Sequence, residues 1–179
     1  MNSQNKIISI IIPTYNEYKN LPRLLDQLLN LETIFEKEII IVDDNSSDGT
    51  QNLARSYSQN DRRIRLISRL GRSGLSSAIK EGCLCASGDL IVIMDADGQH
   101  EPNSIINGLE KFNNKNIDII IGSRFLEESI IKGLSSKRES GSSIANFLAR
   151  ITLHSGYKKL TDYMTGFILL KRNSCIKYI

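Results

Sequence analysis

The stretch that most constrains the fold is an apolar run that leads directly into two acids. Residues 90–94 (LIVIM) are all apolar, with no alternation of polar and apolar positions. Such a run is typical of a central strand of a parallel sheet, which is buried on both faces. Gly98 then ends the strand and leaves Asp95, Asp97 and Gln99 at the carboxyl end of the sheet, where open α/β folds bind their ligands.

Asp95, Asp97 and Gln99 are spaced two residues apart, and in an extended chain such residues point their side chains to the same side. Their oxygen atoms are hard ligands of the kind that Mg²⁺ and Mn²⁺ prefer, often together with the phosphates of a bound nucleotide. The sequence therefore predicts a divalent metal site. The alternative is that the Asp-x-Asp pair only ends a strand and caps the helix that follows Pro102.

Length and charge restrict the class of protein. The 179 residues suffice for one domain with a substantial core, and we expect a single domain over 1–179. A net charge of +3 gives no reason to expect nucleic acid as a partner. The three cysteines are odd in number and lack zinc spacing, which predicts a reducing, cytoplasmic location. The sequence shows no secretory signal and no apolar run of about 20 residues, the length needed to span a bilayer.

Strand and helix patterns alternate along the chain. Strands are predicted at 7–12, 38–42, 64–67, 90–94, 117–121 and 167–170. Helices are predicted at 21–29, 51–58, 104–112 and 144–151, with a further helix of small residues around Ser76, Ser77 and Ala78. This alternation favours a largely parallel sheet covered by helices on both faces. Residues 126–141 break the pattern and predict a loop over the site.

Acidic side chains follow three of the predicted strands. These are Glu17 after the first strand, Asp43 and Asp44 after the second, and Asp95 and Asp97 after the fourth. In a parallel sheet these strand ends share one edge, and neighbouring carboxylates repel unless a cation or hydrogen-bond donors lie between them. We therefore expect a cation or a ligand there, with Asp44 and Glu17 as alternative acceptors for a base or a ribose. The competing interpretation is that all these acids cap helices.

Several common motifs do not match. No Gly-x-Gly-x-x-Gly follows the first strand and no P-loop lysine is present. Residues 44–49 begin like an EF-hand loop, but Arg55 stands at the twelfth position, where Glu is required. Arg124, after the fifth predicted strand, would complement a phosphate. His100 is expected to pack or to support the metal motif rather than to act as a base.

Six segments together resemble the family-2 glycosyltransferases of the GT-A fold, most of all the dolichol-phosphate (polyprenol-phosphate) mannosyltransferases and their bacterial relatives. They are IPTYNE (12–17), VDDNSSDGT (42–50), MDADGQHEP (94–102), GSRF (122–125), ANFLA (145–149) and TDYMTGF (161–167). They occur in family order across residues 8–170. The resemblance implies an α/β, Rossmann-like GT-A fold with a mostly parallel central sheet. It also implies inverting transfer of a hexose, most of all mannose, from a nucleotide sugar to a polyprenyl monophosphate.

The resemblance assigns roles to individual residues. It implies that the donor is bound by Pro13, Tyr15, Glu17, Val42, Asp44, Asp95, Ala96 and Asp97. It implies Mg²⁺ or Mn²⁺ as the cofactor, bound by Asp95, Asp97 and Gln99, and catalytic roles for Asp97 and Arg124. Lys137 and Arg138 lie where the family holds the acceptor phosphate, and they are expected to bind it.

The resemblance also implies partners and a location. GDP-mannose is the favoured donor and UDP-glucose the alternative, and the acceptor is a polyprenyl phosphate at the cytoplasmic face of a membrane. Family members commonly continue past the strand at 167–170 with basic residues that touch the diphosphate, and many add membrane helices. This chain is therefore expected to be short at its carboxyl end. Either a separate protein, such as a membrane-anchoring subunit, supplies the remaining parts, or the chain is a fragment. No transmembrane segment is predicted in it.

Three alternatives remain open at this level. The first is a family-2 transferase that uses UDP-glucose or acts on a polysaccharide, and the second is an inactive, truncated remnant. The third is a haloacid-dehalogenase-like phosphatase, which also has Asp-x-Asp after a buried strand. That class carries its motif near the start of the chain, whereas here two strands with acidic turns come first.

Overall fold

The computed structural model describes residues 6–71, 73–114, 117–123 and 165–176. The strands in these residues are β1 (Ile7–Thr14), β2 (Glu36–Asp43), β3 (Ile64–Ser68), β4 (Leu90–Met94), β5 (Ile119–Ile121) and β6 (Phe167–Lys171). The helices are α1 (Leu21–Asn30), α2 (Thr50–Asn60), α3 (Leu75–Cys85), α4 (Asn103–Asn114) and α5 (Arg172–Ile176).

The described strands form one six-stranded sheet in the order β3-β2-β1-β4-β6-β5. β1 lies at its centre and pairs in parallel with β2 on one side and β4 on the other. β3 is parallel to β2, while β6 is antiparallel to both β4 and β5. The predicted mixed α/β fold with a mostly parallel sheet is confirmed, and the last predicted strand is inserted between β4 and β5 in the opposite direction.

The isoleucine-rich strands are buried because helices cover both faces of the sheet. On one face, buried side chains of α1 and α4, such as Leu25 and Ile105, form one core with Ile10 of β1 and Leu169 of β6. On the other face, α3 packs on Ile11 and Val42 through Ala78. A central strand covered on both sides needs apolar residues at successive positions, which explains the lack of alternation in the sequence.

Helix α3 lies very close to the sheet at two of its small residues, Ala78 and Gly82, whereas Ser76 and Ser77 are exposed. A Cβ atom at Gly82 would lie 2.5 Å from Ile11 Cγ2 and 3.2 Å from Val42 Cγ2. Such distances leave no room for a side chain, so the glycine sets how closely α3 approaches β1 and β2.

The first strand is longer than predicted. The predicted strand ends at Ile12, just before Pro13, but β1 continues to Thr14. The pairing of β1 with β4 ends at Ile11 and Ile93, so Pro13 lies beyond the part of β1 that has neighbours on both sides. A proline is tolerated there because its missing N–H breaks no pair with β4.

Some predicted elements lie outside the described residues. These are the loop at 126–141, the helix at 144–151 and most of the turn that precedes β6. Across the part of the chain that the structure does describe, no helix has both the length and the apolar character to cross a bilayer.

The amino ends of the strands are tied together by one carboxylate. Glu38 accepts hydrogen bonds from Ser9 Oγ at 2.6 Å, from the N–H and Oγ of Ser87 at 2.9 Å each, and from Arg65 Nη1 at 2.5 Å. Burial alone would raise the pKa of Glu38, but these hydrogen bonds outweigh it and hold the pKa below its ordinary value of 4.5. Glu38 therefore joins β1, β2, β3 and the loop before β4 as an anion.

We predict that Glu38→Gln lowers the free energy of unfolding at pH 7 by about 1–3 kcal/mol, because charge-assisted hydrogen bonds are lost. The folded pKa lies below the unfolded one, so this stabilisation is present above pH 4.5 and is lost as the pH falls through the folded pKa. Urea unfolding at pH 7 and at several lower pH values measures it. Glu32→Gln, at an exposed position, is the control. The prediction is contradicted if the difference in unfolding free energy between Glu38→Gln and the wild type stays the same in acid.

Candidate active site

The carboxyl ends of β1, β2 and β4 meet at one edge of the sheet. Pro13 is paired with Val42, and continuing the β1–β4 register by two residues places Asp95 level with Pro13. Each strand end is followed by a turn containing a residue with positive φ. These residues are Asn16 (58°), Asn45 (57°) and Gly98 (76°). Asn and Gly adopt this conformation at low cost, which lets the chain turn sharply at the edge.

A buried carboxylate joins the first two strand ends. Asp43 is fully buried and accepts hydrogen bonds from Thr14 Oγ1 at 3.0 Å, from Ser46 N–H at 3.0 Å and from Ser46 Oγ at 2.6 Å. Ser46 Oγ in turn accepts the N–H of Asn16 at 2.9 Å. Asp43 therefore fixes the geometry of the edge and is itself shielded from solvent.

The run Asn-Ser-Ser-Asp-Gly-Thr at 45–50 holds the first turn in place. Asp48 Oδ2 accepts the N–H of Tyr18 at 3.1 Å, and Thr50 Oγ1 accepts the N–H of Glu17 at 2.9 Å. Burial would raise the pKa of Asp48, but hydrogen bonds from Thr50 and Tyr18 bring it below its ordinary value. Gly49, the residue before α2, has no side chain to cap the helix, but Asp48 Oδ1 accepts the N–H of Thr50, the first residue of α2, at 3.0 Å. The polar groups of this run therefore both begin α2 and join two turns.

Asp44 belongs to a second network, which is centred on the buried side chain of Arg69. Its carboxylate pairs with Nη1 of Arg69 and accepts the N–H of Gly74 at 2.8 Å. Arg69 is only 1% exposed and also contacts Ser77 Oγ at 2.5 Å and Glu81 Oε2 at 3.2 Å. A guanidinium between two carboxylates compensates charges that would otherwise repel each other at this edge.

The other predicted donor-binding residues differ in exposure. Tyr15 is 65% exposed at the edge. Glu17 is half-buried and accepts a hydrogen bond from Asn20 Nδ2 at 2.7 Å. Val42 and Ala96 have buried side chains that pack in the two cores. Pro13 is half-buried within β1. The structure thus brings these residues to one region, and their binding roles stay predictions.

The Asp-x-Asp motif lies just beyond β4. Asp97 is exposed, and its Oδ1 accepts the N–H of Gln99 at 3.0 Å. Asp95 is half-buried, and its N–H donates to the Gly166 carbonyl at 2.9 Å. An open pocket of about 300 Å³ lies between this loop and the start of α1, where Lys19 and Arg23 line it opposite Asp97.

The donor atoms at this edge are compatible with a cation that also binds a substrate phosphate. Within the described residues, no three His, Cys, Asp or Glu side chains are grouped closely enough to hold a metal. Mg²⁺ and similar ions are commonly held by one or two carboxylates, with substrate phosphates and water completing the coordination. Asp95, Asp97 and Gln99 offer oxygen ligands of that kind, so the residues present fit such an ion.

Three predicted phosphate-binding residues cannot be located. Arg124, Lys137 and Arg138 lie outside the described residues. His100 is described, and its ring lies 5.7 Å from that of Phe167 between centroids. Its packing agrees with a supporting role rather than that of a base.

The sequence did not reveal the roles of three contributors to the site. Asp43 was grouped with Asp44, and only the structure shows that Asp43 is the fully buried carboxylate. Nothing in the sequence distinguishes Arg69 from the neighbouring arginines. Gly166 appeared only within the TDYMTGF segment. The one available signal was the pair of glycines after Arg69, Gly71 and Gly74, which have φ values of 67° and 116° and indicate a loop folded back on the strand end.

Known proteins resemble this chain in sequence. The sequence profile of the family described as Glycosyl transferase family 2 matches residues 9–179. The chain is 37% identical over 165 residues to the dolichol-phosphate mannosyltransferase of Pyrococcus furiosus, covering 92% of this chain and 46% of that protein. It is 33% identical over 186 residues to a dolichyl-phosphate beta-glucosyltransferase of Trichomonas vaginalis, and the match covers 94% of this chain and 54% of that protein.

A solved structure shares the fold. The mannosyltransferase PcManGT from Pyrobaculum calidifontis, in complex with GDP-Man and Mn²⁺, superposes with a TM-score of 0.63 at 17% identity, covering 98% of this chain and 47% of that one. This likeness confirms the expected GT-A fold. The chain spans about half the length of the curated relatives it matches.

We predict that Arg69→Met destabilises the fold by about 1–3 kcal/mol, because the partly buried carboxylates of Asp44 and Glu81 then lose their cation. Chemical unfolding at pH 7 measures the change. Arg55→Met on the exposed face of α2 is the control and should stay within about 0.5 kcal/mol of the wild type. An Arg69→Met variant as stable as the control would show that the network does not hold the edge together.

Proposed function

The chain belongs to glycosyl transferase family 2, and on that premise we propose that it is the donor-binding part of a metal-dependent, inverting hexosyltransferase. The donor is a nucleotide sugar and the acceptor a polyprenyl monophosphate, dolichyl or undecaprenyl. The observation that carries the proposal is the parallel register of β2, β1 and β4, which brings Asp44, Tyr15 and the Asp-x-Asp motif to one edge.

The residues at this edge suit a nucleoside diphosphate. Tyr15 offers an exposed aromatic face of the kind that packs on a base or a ribose. Asp95, Asp97 and Gln99 offer oxygen ligands to Mg²⁺ or Mn²⁺. A bound divalent ion would neutralise the diphosphate and make the nucleoside diphosphate a better leaving group. The chain's own contribution is to hold these oxygen atoms in a fixed array before the donor arrives.

The acceptor explains why a general base is not required. A phosphate monoester has a second pKa near ~6, so it is mostly dianionic at neutral pH and nucleophilic without proton removal. Two phosphorylated substrates repel each other, and cations are needed between them. Arg124, proposed as catalytic, and Lys137 and Arg138, proposed to hold the acceptor phosphate, would supply that charge.

Two sugars are compatible with the comparisons. Mannose is favoured because the relative at 37% identity is a dolichol-phosphate mannosyltransferase. Glucose is the alternative, since a relative at 33% identity is a dolichyl-phosphate beta-glucosyltransferase. Both relatives carry dolichol phosphate or dolichyl phosphate in their names, which supports a polyprenyl phosphate over a polysaccharide as acceptor. Action at the cytoplasmic face of a membrane, and a separate anchoring subunit, belong to the same proposal.

We predict that one of GDP-mannose and UDP-glucose binds at least about tenfold more tightly in the presence of Mn²⁺, because the ion links the diphosphate to the Asp-x-Asp motif. Asp97→Ala should abolish this gain. Isothermal titration calorimetry of both donors, with and without Mn²⁺, measures it and identifies the preferred sugar nucleotide.

The matched control is Asp118→Ala. Asp118 is an exposed carboxylate at the opposite edge of the sheet, where it pairs with Lys171 at 3.0 Å, and such surface pairs contribute little. This variant should bind donor and Mn²⁺ like the wild type. A folded wild type that binds neither donor would contradict the proposed function and favour an inactive remnant.

A further inference from the structure

The first residues of β6 contact the segment that carries the Asp-x-Asp motif. The antiparallel register of β4 and β6 ends at Met94 and Phe167, and its continuation places Asp95 directly opposite Gly166. The Asp95 N–H donates to the Gly166 carbonyl oxygen at 2.9 Å. This hydrogen bond extends the pairing one residue beyond the regular strands, up to the point where the motif begins.

No side chain fits at position 166. A Cβ atom on Gly166 would lie 2.2 Å from Asp95 Oδ2, 2.6 Å from Asp95 Cγ and 2.9 Å from Asp95 Cβ. Directly opposed residues normally keep their Cβ atoms about 4.5–5.5 Å apart. The Asp95 carboxylate therefore occupies the space that a side chain at 166 would take.

Backbone conformation does not explain the glycine. The glycines with positive φ in the described residues are Gly49, Gly71, Gly74 and Gly98, and Gly166 is not among them. An alanine could adopt the same backbone angles at 166. The requirement for glycine therefore comes from the close approach of the Asp95 side chain, above all its carboxylate.

His100, which follows the Asp-x-Asp motif, contacts Thr165 and Phe167 at the start of β6. Thr165 Oγ1 lies 3.4 Å from His100 Nε2, and the Phe167 and His100 rings contact each other at a tilt of 37°. Between these ends, Asp97 Oδ1 accepts the N–H of Gln99 at 3.0 Å. The predicted metal ligands thus lie in a short turn, and both ends of this turn contact residues at or just before the start of β6.

We propose that Gly166 is a positioning residue. Because it has no side chain, the Asp95 carboxylate can occupy the space beside it at the sheet edge. The inference rests on the proposed function, in which Asp95 and Asp97 bind the divalent ion. A methyl group at 166 would drive Asp95 Oδ2 and Cγ away by rotation about χ1. Rotation cannot move Asp95 Cβ, so the Asp95–Gly166 pair would also separate slightly.

The test uses a double-mutant cycle of Gly166→Ala and Asp95→Ala, with Gly108→Ala as the matched control. A Cβ atom at Gly108 would lie 2.8 Å from Leu169 Cδ2, so this variant also crowds β6 but touches the flexible end of a core side chain. Two quantities are measured for each protein. One is the Tm, and the other is the gain in affinity for GDP or UDP on addition of Mn²⁺.

Gly166→Ala should remove most of the Mn²⁺-dependent gain in nucleotide affinity, a loss of about tenfold, which is at the lower end of the range seen when groups that orient metal ligands are changed. Affinity for the nucleotide without Mn²⁺ should change less than about twofold, and Gly108→Ala should keep the full gain. The Tm should fall by about 3–10 °C in Gly166→Ala. In the Asp95→Ala background the same substitution should cost much less, because the crowded oxygen is gone.

Additive Tm losses, or a Gly166→Ala protein with the wild-type Mn²⁺ gain, would overturn the proposal. A wild type with no Mn²⁺-dependent gain would count against the proposed function, and the Tm cycle would still decide whether Gly166 holds Asp95. If Gly166→Ala does not fold, recovery of folding in the double variant supports the proposal. A double variant that fails equally would overturn it, since the carboxylate is then not the obstacle.

Discussion

The backbone hydrogen bonds that join β2, β1 and β4 in parallel are the interaction on which the rest of the structure depends. They bring three strand ends to one edge, with Pro13 and Val42 paired and Asp95 level with them. Parallel strands must be connected across the sheet faces, which is why helices cover both sides and the isoleucines between them are buried. The chemistry of the edge is thus a consequence of register, because residues distant in sequence become neighbours only through it.

An edge rich in acids needs internal compensation. Asp43 gains hydroxyl and N–H donors from Thr14 and Ser46, and Asp44 gains the buried guanidinium of Arg69. In the Asp-x-Asp turn, by contrast, Asp97 is exposed. Its carboxylate is available to a cation and a phosphate ligand, whereas the buried Asp43 fixes the turns after β1 and β2.

Much of this arrangement could be predicted from the sequence. Continuous apolar runs gave the central strands, and small residues gave the close approach of α3, because both reflect burial that side-chain size and polarity reveal directly. The antiparallel insertion of β6 between β4 and β5 could not be predicted, since periodicity carries no information on strand order or direction. The contact of Gly166 with Asp95 depends on that insertion, so it was equally hidden. Arg69 was missed because arginine is rarely buried, and nothing local distinguishes a paired guanidinium from a solvated one.

The central claim is that one edge of the sheet binds a metal–nucleotide complex, and paramagnetic NMR tests it most directly. Backbone amide spectra of the isotope-labelled chain would be recorded with GDP or UDP while Mn²⁺ is added, since the ion broadens signals of nuclei near it. We expect selective broadening at Asp97, Gly98 and Gln99 and at the turns after β1 and β2. Signals at the opposite edge, such as Glu36 and Asp118, should stay sharp. Broadening centred on that opposite edge, or none at the Asp-x-Asp turn, would contradict the claim.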